Sequence, residues 1–176
     1  GPYGKGWPVD EFAGKHIVVI TGGTGLAPVR SMLRSFAEKP EYVKSVHLIS
    51  GFKNEEGIIF SGDVAKWEEQ FVTTYALDTD RKEGWRTGFV TEFVKEIPFD
   101  EFQGNYAVVV VGPPPMMKFT GLELMKYDVD PEKVWMSFER KMSCAIGKCG
   151  HCRIDEVYVC TDGPVFPYTA ARDLVD

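Results

Sequence analysis

The chain has 176 residues, of which 44% are apolar and 26% are charged, a balance typical of one globular α/β domain with a small appendage. The formal net charge of −6 argues against nucleic acid as a partner, because no basic stripe is present to displace counterions. The longest apolar runs, such as Ala107–Val111, are far too short to cross a bilayer. Cysteine without an export signal predicts a cytoplasmic protein.

Short β-branched runs alternate with helical patterns from residue 11 to residue 138. We predict strands at Ile17–Thr21, Val46–Ser50, Val72–Leu77, Tyr106–Val111 and Val134–Phe138. We predict helices at about Ala27–Glu38, Gly62–Gln70, Val90–Ile97 and Met116–Lys126. Near-continuous apolar strands that alternate with helices are typical of a parallel sheet covered on both faces. The predicted fold class is therefore α/β, with a doubly wound five-stranded parallel sheet.

The turn after the first predicted strand is rich in glycine. Glycine lets the backbone approach a pyrophosphate closely, and the following helix offers its N–H groups and the positive end of its dipole. Proline suits the first turn of such a helix. A plain chain reversal would use similar residues, and the spacing departs from G-x-G-x-x-G. The candidate phosphate-binding residues are Gly22, Gly23, Thr24, Gly25, Leu26, Ala27 and Pro28.

Two further loops follow strands at the edge where doubly wound sheets bind their ligands. Ser50, Gly51 and Lys53 follow the second strand, at the place of the adenosine ribose. Lys53 favours a 2′-phosphate, but two glutamates follow it closely, so NAD and NADP both stay open, as does a solvated charged loop. After the fourth strand comes a stiff ledge that would either support a flat ring or simply end the strand. Its residues are Gly112, Pro113, Pro114, Pro115 and Met116.

All the cysteine of the chain lies between positions 144 and 160. The four residues are Cys144, Cys149, Cys152 and Cys160, separated by four, two and seven residues. The first two gaps have the opening spacing of a plant-type 2Fe–2S loop. Gly147 and Gly150 permit the positive φ that folds backbone N–H groups around a cluster. A four-cysteine zinc site and two disulfides are the alternatives, and His151 fits a solvent-facing loop position.

Two loops and the tail together resemble the C-terminal half of the ferredoxin–NADP reductase superfamily. Gly22–Arg30 matches its G-T-G-[IL]-A-P pyrophosphate loop, and Gly112–Met116 matches its G-P-P-x-M loop, which implies that Pro113 to Met116 line the nicotinamide pocket. The tail, Glu139–Cys152 with Val159–Phe166, resembles one branch, the flavin/iron–sulfur subunits of sulfhydrogenases (their gamma subunits) and of anaerobic sulfite reductase. The electron-transfer subunit of dihydroorotate dehydrogenase is a more distant relative. The resemblance covers essentially the whole chain.

The resemblance implies three cofactors. The four cysteines would hold a 2Fe–2S cluster, the two loops would bind NAD or NADP, and FAD would bind an N-terminal barrel that the present sequence lacks. A hydride would pass from nicotinamide to flavin, and single electrons would then pass through the cluster to catalytic subunits of the hydrogenase or sulfite reductase type. Many relatives place a cysteine at the position of Val111. The chain alone, without the flavin domain, is expected to be inactive.

The pattern of predicted elements and the resemblance together predict the domain organisation. Residues 1–10 would be the remnant of a junction with the flavin barrel, residues 11–138 the NAD(P)-binding domain, and residues 139–176 a small C-terminal iron–sulfur module. Ile154–Cys160 would form a hairpin within that module. The alternative function is a non-catalytic nucleotide-binding domain with a structural four-cysteine zinc site.

Overall fold

A seven-stranded sheet forms the middle of the structure, a computed structural model that describes residues 4–174. Its strands are β1 (His16–Gly22), β2 (Ser45–Phe52), β3 (Val72–Leu77), β4 (Arg86–Thr87), β5 (Tyr106–Val111), β6 (Val134–Ser137) and β9 (Val165–Pro167). They lie in the order β4-β3-β2-β1-β5-β6-β9. All neighbouring pairs are parallel except β6 and β9, which are antiparallel. A separate hairpin joins β7 (Arg153–Ile154) to β8 (Val157–Tyr158).

Helices and 3-10 turns connect the strands. The α-helices are α1 (Val9–Phe12), α2 (Arg30–Glu38), α3 (Ser61–Gln70), α4 (Pro114–Met125) and α5 (Tyr168–Ala171). The 3-10 segments are Gly23–Leu26, Pro40–Tyr42, Glu55–Gly57, Val90–Glu96, Phe99–Phe102 and Pro131–Lys133. Within residues 4–174 no helix is long and apolar enough to cross a membrane.

Successive residues of the central strands point to opposite faces of the sheet, and both faces are covered. In β1, Val18 and Ile20 join one buried cluster, whereas Ile17 and Val19 join the other. All six residues of β5 are buried. Burying an aliphatic side chain of this size contributes about 1.5–3 kcal/mol. The run of apolar residues in each central strand is therefore required by a sheet that has no solvent-facing side.

The structure confirms the predicted α/β class and all five predicted strands, and it adds two that the sequence did not predict. Strand β4 has only two residues. Strand β9 follows the cysteine segment, which we define as residues 139–164, and pairs with β6. The predicted helix at Ala27–Glu38 begins later, at Arg30, because the N–H of Ala27 bonds to Thr24 and that of Arg30 to Ala27 in a 3-10 pattern. Pro28 thus precedes the helix.

Two predictions concern the ends of the chain and its division. The predicted junction at residues 1–10 lies partly outside the described residues, which begin at Gly4. From there Lys5 forms an isolated β-bridge with Pro164. A hairpin is present near the predicted Ile154–Cys160, but its strands begin at Arg153 and end at Tyr158, two residues before the last cysteine. The boundaries at residues 11, 138 and 139 stay a prediction.

Candidate functional site

The carboxyl ends of the parallel strands carry the loops that the sequence singled out. Strands β2 and β3 lie on one side of β1, and strands β5 and β6 lie on the other. The strand order therefore reverses between β1 and β5. In open α/β sheets such a reversal leaves a crevice beyond the strand ends. The turn Gly23–Leu26 lies directly after β1 at this reversal and has a cavity on either side of it.

The first cavity, here called the outer pocket, has a volume of about 700 Å³. Its walls come from the end of β2, the start of the Val90–Glu96 turn and the first half of α4. They include Phe89 and Phe119, whose side chains are 62% and 60% exposed. Its remaining lining residues are Gly22, Gly23, Gly51, Phe52, Lys53, Asp78, Val90, Thr91, Pro113, Pro115 and Met116. A mostly apolar pocket with one cation and one carboxylate suits a flat heterocycle joined to a polar sugar.

The second cavity, here called the inner pocket, has a volume of about 740 Å³. It lies between the glycine turn, the end of β5 and the start of the cysteine segment. Its lining residues are Thr24, Gly25, Ala27, Pro28, Val111, Gly112, Pro113, Pro114, Met117, Ser137, Phe138, Glu139, Arg140, Met142 and Pro164. Pro113 borders both cavities, so one elongated ligand that crosses the glycine turn would reach both.

Gly25 makes the close contact that joins the glycine turn to β5. A Cβ atom at this position would lie 2.3 Å from the carbonyl oxygen of Val111 and 3.0 Å from Cα of Gly112. Both neighbours are backbone, so no side-chain rotation could make room. The turn can therefore rest on the end of β5 only with glycine here, a requirement that the sequence did not predict, since the close approach expected there was to a pyrophosphate.

Two of the predicted nucleotide-binding residues face neither pocket. Leu26 is fully buried in the core beneath the turn. Ser50 is also fully buried, and its hydroxyl oxygen accepts a hydrogen bond of 2.8 Å from the hydroxyl of Thr21. These residues support the loops from within the sheet. The other predicted loop residues line one pocket or both.

Asp78 is a polar group of the outer pocket that the sequence reasoning missed. It directly follows β3, and its backbone N–H bonds to the carbonyl of Phe52 at 3.0 Å. Burial raises the pKa of its carboxyl group, and the nearby charge of Lys53 opposes that rise. The signal was available, since Asp78 is the first residue after a predicted strand of the same parallel sheet.

Arg30, which the sequence places beside the glycine turn, forms its contacts with residues outside both pockets. Its Nε donates to the Asp63 carboxylate at 2.6 Å, and its guanidinium lies 4.1 Å from the centre of the Phe60 ring. Asp63 itself is almost fully buried at the start of α3. The arginine therefore joins α2 to α3 and does not line either pocket.

The cysteine segment brings two of its cysteines into contact and buries the other two. The backbone N–H of Cys149 points to Sγ of Cys144 at 3.4 Å. Cys152 and Cys160 are both buried, whereas Cys149 is exposed. No group of three or more metal-binding side chains surrounds a single point anywhere in residues 4–174. Cys144 and Cys149 thus form the more exposed part of the loop, and Cys152 and Cys160 form its buried part.

Backbone N–H groups surround the more exposed pair. Those of Ile146, Lys148 and Cys149 lower the pKa of the Cys144 thiol. The N–H of His151 is the main cause that lowers the pKa of Cys149 to about 7. A loop that stabilises thiolates in this way fits a metal–sulfur centre, because metal ligands are thiolates and N–H···S bonds tune such centres.

Burial has the opposite effect on Cys160. It raises the pKa of that thiol, and the neighbouring Cys152 thiol adds to the rise. A thiolate at this depth therefore requires a positive partner, which a metal centre supplies. Gly147 and Gly150 adopt the expected positive φ values of +68° and +78°, and Ala145 adopts a φ of +57°.

The fold and the site define a dinucleotide-binding α/β protein with an attached cysteine-rich module. Residues 19–121 match the oxidoreductase NAD-binding domain, and residues 139–171 match the iron–sulfur cluster binding domain of dihydroorotate dehydrogenase B. The chain belongs to the oxidoreductase NAD-binding domain family, with the iron–sulfur domain following it.

Individual proteins agree with this assignment. The chain is 34% identical to sulfhydrogenase 2 subunit gamma of Pyrococcus furiosus over 96% of its own length and 64% of that protein. It is 32% identical to the dihydroorotate dehydrogenase B (NAD(+)) electron transfer subunit of a Geobacillus species, over 94% of its length and 61% of that protein. The chain thus spans less than two thirds of either relative.

A solved structure supports the fold over nearly the whole chain. The NADH-dependent reduced ferredoxin–NADP oxidoreductase, solved for insight into flavin-based electron bifurcation, matches with a TM-score of 0.71 at 24% identity. The match covers 96% of this chain and 57% of that one. The cysteine segment is therefore part of the shared architecture.

Proposed function

We propose that this chain is the pyridine-nucleotide and 2Fe–2S part of an NAD(P)H-linked electron-transfer subunit. The observation that carries the proposal is the pair of pockets on either side of the glycine turn, the inner of which has the start of the cysteine segment as one wall. The dinucleotide supplies a hydride, and the cluster carries single electrons. The chain's own residues bind and orient these groups.

Each of the two pockets would hold one end of the dinucleotide. The outer pocket would hold the adenosine, with Phe89 and Phe119 against the base. The backbone around Gly23 and Gly25 would bind the pyrophosphate at the turn. The inner pocket would hold the nicotinamide between Pro113 and the residues that begin the cysteine segment. The outer pocket is assigned to the adenosine because Lys53 and Asp78, which directly follow β2 and β3, line it. The assignment moves Met116 from the nicotinamide, where the resemblance placed it, to the adenosine end.

Asp78 favours NAD over NADP in this proposal. Its carboxylate lines the outer pocket beside Lys53, close enough for the lysine charge to affect its pKa. A carboxylate accepts hydrogen bonds from ribose hydroxyls and repels a 2′-phosphate. Lys53 alone would attract that phosphate, but the adjacent Asp78 opposes its charge.

The four cysteines would hold a 2Fe–2S cluster. The spacing of four and then two residues matches the plant-type 2Fe–2S loop, and the backbone N–H groups around Cys144 and Cys149 favour thiolates. The flavin that would connect a two-electron hydride to one-electron steps is expected on a domain outside this sequence. Electrons would leave through a partner of the hydrogenase, sulfite reductase or dihydroorotate dehydrogenase type.

Metal analysis and nucleotide titration test the proposal together. We expect about two irons and two sulfides per chain, with visible absorption and a rhombic EPR signal on reduction. We expect NADH to bind more tightly than NADPH. We also expect that NADH will not bleach the cluster unless flavin is added. One zinc ion without sulfide, or no affinity for either nucleotide, would contradict the proposal.

A further inference from the structure

One short stretch of backbone, residues 4–7, contacts two different walls of the inner pocket. We call this stretch the strap. At one end, the indole N–H of Trp7 donates to the carbonyl oxygen of Pro28 at 2.9 Å. Pro28 follows the glycine turn by two residues and lines the inner pocket. The indole also packs against the core on that side of the sheet.

The other end of the strap is joined to the cysteine segment. The backbone N–H of Lys5 donates to the carbonyl of Gly163, and its carbonyl accepts from the N–H of Val165 at 3.3 Å. Pro164, which lies between these two residues, is a second wall of the inner pocket. The contact requires glycine at position 4, where a Cβ would lie 2.2 Å from the carbonyl oxygen of Gly163.

The strap therefore joins two walls that are far apart in sequence. Pro28 follows β1, whereas Pro164 directly precedes β9. The carbonyl of Pro164 also accepts from the N–H of Phe138 at 2.9 Å, which fixes it to the end of β6. The hydrogen bond from Trp7 to Pro28 connects these elements to the segment that follows the glycine turn.

We propose that Trp7 is a positioning residue for the nucleotide, and that the strap holds the inner pocket at the width the nicotinamide end requires. This inference rests on the proposed function, because it assumes that the inner pocket receives the nicotinamide. Trp7 itself lines neither pocket. It acts through the carbonyl of Pro28, whose position sets the path of the turn from Gly25 onward.

The variant Trp7→Phe removes the N–H donor and keeps an aromatic ring on the core. Calorimetric titration of the whole chain with NADH should show an affinity loss approaching about fivefold, because an intramolecular hydrogen bond can bias the pocket towards its binding geometry by at most its own free energy. Titration with 5′-AMP, which fills only the outer pocket, should be unchanged. Gly4→Ala removes the other attachment and should produce the same split between NADH and AMP.

Trp135→Phe is the matched control, because Trp135 is a partly buried tryptophan that packs against the same core and lines neither pocket. It should leave both affinities unchanged. Unaltered NADH affinity in Trp7→Phe would contradict the positioning role of Trp7 and would leave the proposed function unaffected. If NADH affinity, AMP affinity and melting temperature all fell together, Trp7 would have a merely structural role, and its positioning role would again be contradicted. A wild-type chain that binds neither ligand would contradict the proposed function itself.

Discussion

Replacing Gly25 by alanine tests whether the glycine turn must rest on the end of β5. The added methyl would begin 2.3 Å from the carbonyl oxygen of Val111, whereas ordinary contact begins at 3.4 Å. The turn must therefore move by about 1.1 Å, since its neighbours are backbone atoms. Overpacking of this kind costs about 1–3 kcal/mol in the free energy of unfolding.

The same displacement should also weaken nucleotide binding. Moving the turn by this distance misaligns the backbone N–H groups that would face the pyrophosphate, and each bond to a charged group contributes about 1.5–3 kcal/mol. We expect the NADH affinity of Gly25→Ala to fall by about tenfold to a hundredfold. Calorimetric titration and urea unfolding measure the two effects separately.

Gly62→Ala is the control for this substitution. Gly62 lies in the first turn of α3, and a Cβ there would meet nothing within 4 Å. This variant should gain about 0.5–1 kcal/mol, because alanine is the better helix former. Its NADH affinity should equal that of the wild type. If Gly25→Ala matched Gly62→Ala in both measurements, the assignment of the turn as the pyrophosphate site would be refuted.

Three further predictions use other parts of the structure. Ala145→Gly should raise stability by up to about 1 kcal/mol in thermal unfolding, because Ala145 has a φ of +57°. Asp78→Ser should reduce the proposed preference for NADH over NADPH by about tenfold in titrations, since it removes the carboxylate that we propose lies beside the ribose. Burial lowers the pKa of both His16 and His47 below 6.5, so their protonation disfavours the native state. Stability in urea should therefore be highest above pH 6.5 and fall towards pH 5.5, and the variant His16→Asn/His47→Gln should show a smaller fall.

The sequence was sufficient for the elements whose residues are buried on both faces. Strand β5 consists of one tyrosine, one alanine and four valines, and every residue is buried, so its apolar run predicted both its type and its ends. Strand β9 could not be found in this way. It is only three residues long and ends in proline, and it exists because β6 offers it an open edge.

The candidate site was predictable in its loops and less so in its side chains. The motif marked the whole stretch Gly22–Pro28, but it could not show that Leu26 points into the core while its neighbours line the pockets. Phe119 illustrates the same difficulty. An apolar residue in a helix is expected to pack inward, and only the position of α4 shows that this one stands exposed at the mouth of the outer pocket.

The position of the cysteine segment follows from the sheet and not from a flexible connection. Strand β6 ends at Ser137, and Phe138 to Arg140 pass directly along the inner pocket before the first cysteine. After the last cysteine, β9 pairs with β6, and Tyr168 of α5 packs so closely on Gly121 of α4 that a Cβ there would lie 2.6 Å from its ring. Both ends of the segment are thus attached to the elements that border the pockets. Groups held on rigid elements keep their separation, so the distance between a nucleotide and a cluster in this chain would be set by the sheet itself.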